Sequence, residues 1–453
     1  MTFGSFYDSI VFGITNEKTL TAIWLISKES KRSIIITMKK DDKKKKAKKP
    51  KQSIFLYQIV KALAWFVAIF AFRRKFLRNE IKDKKGPFVI IANHEAALDF
   101  VNLIGATRTP LSFVISNSFY NTLPFKWIVS RLGMIPKQQF QTSLRDLGAM
   151  KSTIKDGKIL VIYPAGLMCE DGQSTPIPAA TYEFLRWLNT DVYVAKTIGT
   201  YFSMPKWANG IRVGRTFIDI YKLFDKDELH DMPLDEIEEK TDGALDFDAY
   251  FEQERFKIKY AGNDNIEGLE NVLYVCPNCM GEFTMRVKKK KTIYCVQCGF
   301  EETSDKYAFL HNNKGVGEEV RHVSVWSRMI YNNLKERVEN GKIKRLTTMA
   351  RIQTIDPKKH KYRDAGKARI TLTPDTLSVK GEINGEDVDL AMPTSTFPSL
   401  PFKPGRNFEI QHGDISYRCF PKKPLVVMKW VNLVKIYYEI KTAEKKAEAE
   451  VNK

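Results

Sequence analysis

Cysteine is scarce in this chain, and the scarcity excludes one class of protein. Six cysteines occur among 453 residues, which is too few for a small fold held together by disulfides. We also expect no secretory leader within residues 1–37, because they contain no compact apolar stretch followed by a small-residue cleavage site. We find no internal repeats, which argues against a repeat architecture.

Acidic residues are too few to balance the basic ones. The chain has 53 Asp and Glu against 73 Lys and Arg, which gives a formal charge of +20. Such a charge attracts an anionic partner, but nucleic acid, anionic lipid and an acyl-carrier protein all qualify. The length predicts about two to four domains. Hydrophobic residues make up 43% of the chain, enough to bury at least one substantial core.

A long hydrophobic run occurs once, at residues 54–72, where only Gln58 and Lys61 interrupt it. Its 19 residues are near the lower limit of about 17–25 for a spanning helix, and basic clusters flank both ends. We therefore expect a helix, or a bent pair of short helices, that dips into one leaflet. The alternative is a buried core helix. The basic flanks favour an anionic membrane surface at the cytoplasmic face of the cell membrane, with peripheral or monotopic attachment.

The segment before this run is strongly basic. Residues 38–51 hold nine lysines and two aspartates, a net charge of +7, and such a block repels itself and is expected to be disordered. Residues 1–37 match neither this block nor any later feature. We expect them to be dispensable and the natural product to begin at Met38, the alternative being a small β-forming extension.

Short apolar runs bounded by turn residues then alternate with helical patterns. This alternation predicts a layered α/β domain. The predicted elements are strands at 86–92, 157–166 and 191–199, an edge strand at 216–224, and helices at 142–155 and 178–189.

A histidine and an aspartate follow the first of these strands, at positions 94 and 99. A hydroxyl group has too high a pKa to attack a thioester unaided, and a neutral imidazole can take its proton. A carboxylate on the other ring nitrogen fixes the tautomer and stabilises the imidazolium. Five residues do not stack two side chains on a helix, so a turn must bring them together. His230 and Asp235 repeat this spacing in a polar stretch with no strand before it and serve as an internal control.

Asn93, His94 and Asp99 after a strand resemble the first motif of the 1-acylglycerol-3-phosphate O-acyltransferase family. Further matches follow in the family's order over residues 75–225, and GTYFSMPKW at 199–207 is similar to a bacterial branch with a Pro-Ala-Gly third motif. The resemblance implies a glycerolphosphate-acyltransferase-like α/β fold and a membrane-associated acyltransferase. Substrate-binding positions on these motifs would be Asn93, Gly133, Lys137, Pro164, Ala165, Gly166 and Lys196.

By the same resemblance, the acyl donor would be acyl-coenzyme A or acyl-carrier protein, and no covalent acyl-enzyme would form. The acceptor would be a lysophospholipid hydroxyl, above all that of 1-acylglycerol-3-phosphate. The family's arginines, linked to the acceptor's phosphate, are missing here, because Gln139 and Leu167-Met168 stand in their places. Lys137 and Lys196 could supply charge instead.

Four of the six cysteines form two Cys-x-x-Cys pairs with fifteen residues between them. Two such turns complete a tetrahedral site of four thiolates, which predicts structural zinc, with iron as the rival metal. Four protein ligands leave no open position for catalysis. The predicted ligands are Cys276, Cys279, Cys295 and Cys298.

The C-terminal part reads as a helix, several short strands and a closing helix at 425–440. Two other function classes stay open: a catalytically inactive lipid-binding scaffold and a zinc-ribbon nucleic-acid-binding protein. We expect no nucleic-acid partner, because the basic clusters lack interleaved aromatic residues. The predicted organisation is an uncertain extension (1–37), a polybasic arm with the membrane-associating helix (38–85), the acyltransferase domain (86–265), a zinc ribbon (266–312), a helix with a small β-rich domain (313–440) and a charged, frayed tail (441–453).

Overall fold

The computed structural model describes residues 52–123, 126–139, 143–262, 265–356, 359, 361–413 and 415–451. The predictions for the extension at 1–37 and for the lysine block at 38–51 lie outside these residues. The described chain contains a mixed α/β layer, a small cysteine-bearing sheet and a β-rich C-terminal part, as the sequence predicts.

The first layer is a seven-stranded sheet with helices on both faces. Its strands are β1 (Lys75–Asn79), β2 (Phe88–Ala92), β3 (Leu111–Ser116), β4 (Ile135–Lys137), β5 (Ile159–Ile162), β6 (Val192–Ile198) and β7 (Phe217–Phe224). Its helices are α1 (Ile54–Phe70), α2 (Asp99–Ile104), α3 (Asn117–Thr122), α4 (Lys126–Arg131), α5 (Leu144–Lys155), α6 (Ala180–Leu188), α7 (Thr200–Ser203), α8 (Lys226–Asp231), α9 (Leu234–Leu245) and α10 (Ala249–Phe256).

The strand order is β1-β7-β6-β2-β5-β3-β4. Strands β6, β2, β5, β3 and β4 run parallel, whereas β7 is antiparallel to β6 and parallel to β1. The prediction of an edge strand at 216–224 is therefore wrong, because β1 pairs with the outer side of β7. The parallel pairing of β2 with β5 brings their carboxyl ends to one edge of the sheet, where ligands bind in open α/β sheets.

Strand β2 is buried on both faces, as a central parallel strand should be. Phe88, Ile90 and Ala92 join the core beneath α1 and α2. Val89 and Ile91 join the core on the opposite face, beneath α5, α6 and α9. Helices cover both faces of β2. This explains why the sequence of the strand is an almost continuous apolar run.

Helix α1 is one continuous helix rather than a bent pair, and it lies against the sheet. Tyr57, Ala64 and Ala68 are buried on its inner side, and the Tyr57 hydroxyl accepts a hydrogen bond from the Leu111 amide at 3.0 Å. Its outer side is exposed and apolar, with Phe55 79% exposed and Phe66 57% exposed. No helix in the described part of the chain combines the length and hydropathy that a membrane crossing needs.

The cysteine-bearing segment forms a small antiparallel sheet. Lys288–Lys291 lie at the tip of its first hairpin, and two lysines there, Lys289 and Lys290, take positive φ. The strands are β8 (Met285–Lys288), β9 (Thr292–Cys295), β10 (Glu301–Ser304) and β11 (Leu310–His311).

A second seven-stranded, antiparallel sheet makes up most of the C-terminal part, in the order β15-β14-β13-β12-β18-β17-β16. Its strands are β12 (Leu346–Ile355), β13 (Tyr362–Leu372), β14 (Thr376–Ile383), β15 (Glu386–Pro393), β16 (Phe402–Lys403), β17 (Asn407–His412) and β18 (Ile415–Pro421). The helix α11 (Val323–Glu339) precedes this sheet and α12 (Val427–Val451) follows it.

Helix α12 closes the β-rich part as predicted, but it continues to Val451. The backbone from residue 441 to 451 is therefore helical rather than frayed. A single hydrophobic core joins α12, the cysteine-bearing sheet and the end of the first layer, with Trp430, Phe300 and Tyr201 among its members. The predicted boundaries between the acyltransferase domain, the zinc ribbon and the β-rich domain thus separate segments that share one hydrophobic core.

Candidate active site

His94 and Asp99 form a hydrogen-bonded pair at the carboxyl end of β2. The His94 Nδ1 atom lies 2.9 Å from Asp99 Oδ2. The Asp99 side chain is fully buried, whereas the His94 side chain is 21% exposed. The structure thus brings together the two side chains that the sequence predicts as base and orienting carboxylate, and the contact through Nδ1 leaves Nε2 facing away from Asp99.

The five-residue spacing works because a turn, and not a helix, connects the two side chains. Asp99 is the first residue of α2, and its Oδ2 atom also accepts from the Glu95 amide at 2.8 Å and the Ala96 amide at 3.0 Å. These hydrogen bonds to Oδ2 hold the Asp99 carboxylate in one orientation. The carboxylate in turn holds the orientation of the His94 ring. The control pair behaves differently: His230 is exposed on α8 and contacts the neighbouring Asp231.

Two buried residues beside the histidine hold the turn in place. The Asn93 side chain donates to the Thr197 carbonyl at 2.8 Å and accepts from the Thr197 amide at 2.8 Å, which fastens the end of β2 to β6. Glu95 accepts from the Tyr201 amide at 2.8 Å. Burial, and secondarily the charge of Asp99, raise the pKa of Glu95 to about 8. Asn93 does not line the cavity described below, so its side chain supports the turn and does not face the cavity.

The turn after β5 forms the opposite wall of the site. The Tyr163 ring stacks on the His94 ring with centroids 4.4 Å apart. Gly166 has a φ of +67°, which glycine adopts without steric cost, and its amide donates to the Tyr163 carbonyl at 3.0 Å. The Gln139 side chain donates to the Gly166 carbonyl at 2.8 Å. Gln139 stands where the family resemblance leads us to expect an arginine. Its side chain is therefore used to hold this turn.

A cavity of about 1470 Å³ opens beside this pair. His94 lines it together with Pro164, Ala165 and Gly166, and most of the remaining wall is apolar. This volume exceeds the roughly 300–1,000 Å³ of a site for one drug-sized ligand. The cavity therefore has room for an acyl donor and an acceptor together.

The other predicted binding residues divide into two groups. Lys137 lines the cavity, and burial lowers its pKa. Lys196 does not line it, because its ammonium donates to the Asp246 carbonyl at 2.7 Å and lies 4.0 Å from Glu252. Gly133 is also outside the lining. Its φ is +81°, and a Cβ there would come within 2.8 Å of the Gln52 side chain, so the glycine permits close packing.

The sequence gives no signal for the rest of the cavity wall. One face of the C-terminal sheet covers the site and contributes Arg351, Lys403, Arg406 and Arg418. Lys206, from the segment after α7, lies between the two parts: its ammonium donates to the Met168 carbonyl at 3.3 Å and stands 3.5 Å above the Phe402 ring. Long-range packing places these cations around the same cavity as His94, so no local sequence pattern predicts them.

A buried polar network fixes this sheet to the first layer. The Ser118 hydroxyl, on α3, lies 2.8 Å from the Tyr362 hydroxyl and donates to Glu409 at 3.1 Å. Arg418 also binds Glu409, at 2.8 and 2.7 Å, and lies over the Tyr362 ring. Arg418 is thus occupied in holding the two parts together.

The four predicted metal-binding cysteines come together on the small sheet. Their sulfur atoms all lie within 4.8 Å of one another, with 3.6 Å between Cys276 and Cys298 and 3.7 Å between Cys279 and Cys295. A tetrahedral ion with metal–sulfur bonds of about 2.3 Å separates its ligands by about 3.8 Å. The donor set and spacing therefore fit a closed metal centre.

Comparison with known protein families finds a similarity over the segment that carries this site. Residues 73–193 match the family model named Acyltransferase, and they include His94, Asp99 and the turn after β5. This part of the chain is similar to acyltransferase domains.

Among solved structures, the chain is similar to the crystal structure of the 1-acyl-sn-glycerophosphate (LPA) acyltransferase, PlsC, from Thermotoga maritima. The identity is 16%, the TM-score is 0.36, and the match covers 42% of this chain and 76% of that one. No curated protein sequence matches this chain.

Proposed function

We propose that this protein is a membrane-associated O-acyltransferase. It moves a fatty acyl group from acyl-coenzyme A or acyl-carrier protein to a lysophospholipid hydroxyl, with 1-acylglycerol-3-phosphate as the first acceptor to test. The observation that carries the proposal is the hydrogen bond of 2.9 Å between His94 and Asp99 at the wall of a large, mainly apolar cavity. The acyltransferase family model over the same residues supports it.

The reaction follows from this geometry. His94 Nε2 takes the proton of the acceptor hydroxyl while the hydroxyl oxygen attacks the thioester carbonyl. The buried Asp99 carboxylate stabilises the imidazolium that forms. The tetrahedral intermediate then expels the thiolate, so a carbon–oxygen bond replaces the carbon–sulfur bond. The imidazolium returns its proton to the thiolate, and no covalent acyl-enzyme is needed.

Incubation of the purified full-length chain with labelled acyl-coenzyme A or acyl-carrier protein tests this proposal. The acceptor panel should contain 1-acylglycerol-3-phosphate, other lysophospholipids and glycolipids. We expect a labelled diacyl product with at least one acceptor. Transfer to no acceptor from either donor would contradict the proposal and favour the inactive lipid-binding scaffold.

We propose membrane attachment through the outer side of α1, together with the lysines of residues 38–51. Deleting residues 38–78 would not test this attachment cleanly. The deletion would also remove Tyr57, Ala64 and Ala68, which are buried in the hydrophobic core. Phe55→Gln/Phe66→Gln changes only exposed side chains. Each phenylalanine removed from an apolar leaflet should weaken vesicle binding by roughly tenfold.

The vesicle experiment needs a matched control variant and vesicles that contain anionic lipid. Ile415→Gln, on the C-terminal sheet, removes a side chain that is 48% exposed and should leave sedimentation with anionic vesicles unchanged. Equal sedimentation of the wild type and of the Phe55→Gln/Phe66→Gln variant would contradict attachment through α1.

We further propose that the four cysteines hold one structural zinc ion. Zinc would complete the tetrahedron and tie the two Cys-x-x-Cys turns together, with no open position for a substrate. Met280 and Gly299, which directly follow the two turns, both take positive φ, so the turns have matching backbone geometry. Metal analysis of the purified protein should find one zinc per chain. Iron at that stoichiometry, or a folded protein without metal, would contradict the assignment.

A further inference from the structure

The positive charge of the active-site cavity comes mainly from the C-terminal sheet. Its contribution to the lining is four cations and one carboxylate, Glu409. The first layer contributes two lysines, Lys137 and Lys206, and one carboxylate, Glu183. A mainly apolar cavity with this excess of cations is suited to a ligand that carries both a hydrocarbon chain and an anionic group.

Strand register explains why Arg351 and Arg418 face the cavity, whereas Lys403 and Arg406 reach it from the hairpin of β16 and β17. Arg351 pairs with Phe420 across β12 and β18, and Lys403 pairs with Asn407 across β16 and β17. All four side chains line the cavity. On β12 and β18 the neighbouring residues point the other way, because successive residues of a strand alternate between faces. Ile352, for example, is fully buried in the core.

Two of these cations are available to a ligand. Lys403 and Arg406 are exposed, and no ion pair found among the described residues involves either one. Arg418 is held by Glu409, whereas Arg351 pairs only with the exposed Asp364 and rests over the Phe420 ring. Exposed pairs of this kind contribute roughly 0–1 kcal/mol, so Arg351 can exchange its partner at little cost.

Contacts connect these cations with the catalytic turn. The His94 carbonyl accepts from the Cys169 amide at 3.0 Å, and the adjacent Met168 carbonyl accepts from Lys206. Lys206 in turn lies over Phe402, the neighbour of Lys403. The sheet edge is thus joined to the segment that carries the base.

We propose that Lys403 and Arg406, with Arg351 and Lys206 beside them, bind the phosphate ester of a substrate while its acyl or acceptor end reaches His94. Guanidinium and ammonium groups are the usual protein ligands of phosphate. This inference rests on the proposed function, because it assigns an anionic group to one of the two substrates of that site. The phosphate belongs either to the glycerol head group of the acceptor or to coenzyme A.

Calorimetric titration of the full-length chain distinguishes these two sources. The probes are coenzyme A, 1-octanoylglycerol 3-phosphate and, as the ligand without phosphate, 1-octanoylglycerol. Lys403→Gln/Arg406→Gln should weaken binding of one phosphate ligand by at least about tenfold, because hydrogen bonds to charged groups are lost. Loss for the octanoyl phosphate alone assigns the acceptor, and loss for coenzyme A alone assigns the donor.

Three controls make the titration decisive. Arg369→Gln removes an exposed arginine of the same sheet outside the cavity lining and should bind every probe as the wild type does. Lys403→Arg/Arg406→Lys should restore binding of the phosphate ligand. Binding of 1-octanoylglycerol should be unchanged in all variants, and equal melting temperatures would show that the fold is intact.

Unchanged affinity for both phosphate ligands in Lys403→Gln/Arg406→Gln would overturn the inference. An equal loss of 1-octanoylglycerol binding, or a loss confined to anionic vesicles, would also overturn it. Failure of the proposed function has a different signature, because a chain that binds these phosphates but transfers no acyl group would keep the cationic site and lose only the catalysis.

Discussion

Replacing His94 with alanine should abolish the general base without disturbing the core. The side chain is partly exposed at the cavity wall, and among the described residues its hydrogen-bond partner is Asp99. General-base catalysis contributes typically about 10²–10⁴-fold, so kcat should fall by that factor. The KM for the acceptor should change less, because the cavity wall and the cations of the C-terminal sheet are unaltered.

The Asp99→Asn variant separates charge from orientation. Asp99 Oδ2 accepts from His94, Glu95 and Ala96, so an amide oxygen can occupy this position and preserve the histidine tautomer. The amide nitrogen would then replace Oδ1, which is buried without a hydrogen-bond partner among the described residues. That substitution should cost about 1–3 kcal/mol of stability. Loss of the charge should lower kcat by at least about tenfold, because a charged acceptor is roughly twice as strong.

Initial rates of labelled acyl transfer, at saturating donor and varied acceptor, measure these effects. His230→Ala is the matched control, because its side chain is 70% exposed and contacts only the adjacent Asp231. It should retain the wild-type rate. A wild-type rate in His94→Ala would refute the mechanism. A loss in Asp99→Asn as large as that in His94→Ala would refute the argument that the tautomer is preserved.

Four further substitutions test three separate features. Cys279→Ser should remove the zinc and increase hydrogen exchange over residues 274–300 more than in β2 and β5, and uniform protection would contradict a local metal site. The folded-state pKa of Glu95 is raised from 4.5 to about 8, so wild-type stability should fall as pH rises through that window, by up to about 1.4 kcal/mol per unit. Thermal melts of Glu95→Gln should lack this slope. Lys137→Ala should raise the KM of a phosphate-bearing acceptor, whereas Lys196→Ala, outside the cavity, should not.

The sequence predicts features that depend on neighbouring residues. Strand β2 is predictable because an apolar run of this length, buried on both faces, has few alternatives. The pairing of His94 with Asp99 is predictable because the turn between them spans five residues. Cysteine spacing likewise predicts the thiolate cluster, because each Cys-x-x-Cys turn brings two sulfur atoms together locally.

Helix α1 shows where local information stops. Its apolar run predicts a helix, but composition cannot say that Tyr57 and Ala68 face the sheet while Phe55 and Phe66 stay exposed. Strand β7 shows the same limit, because its alternating pattern fits an edge strand and only the pairing with β1 makes it internal. In both cases the partner surface comes from elsewhere in the chain.

The tertiary structure alone decided which charged residues line the cavity beside His94. Motif positions pointed to Lys196, but its side chain bonds to the Asp246 carbonyl instead of lining the cavity. Lys403 and Arg406 belong to no motif, and they line the cavity because β16 and β17 lie at the edge of a sheet that Ser118 and Glu409 fasten to the first layer. Sequence determined the contact between His94 and Asp99 through local geometry. Long-range packing determined the cavity around them, because its walls come from segments hundreds of residues apart.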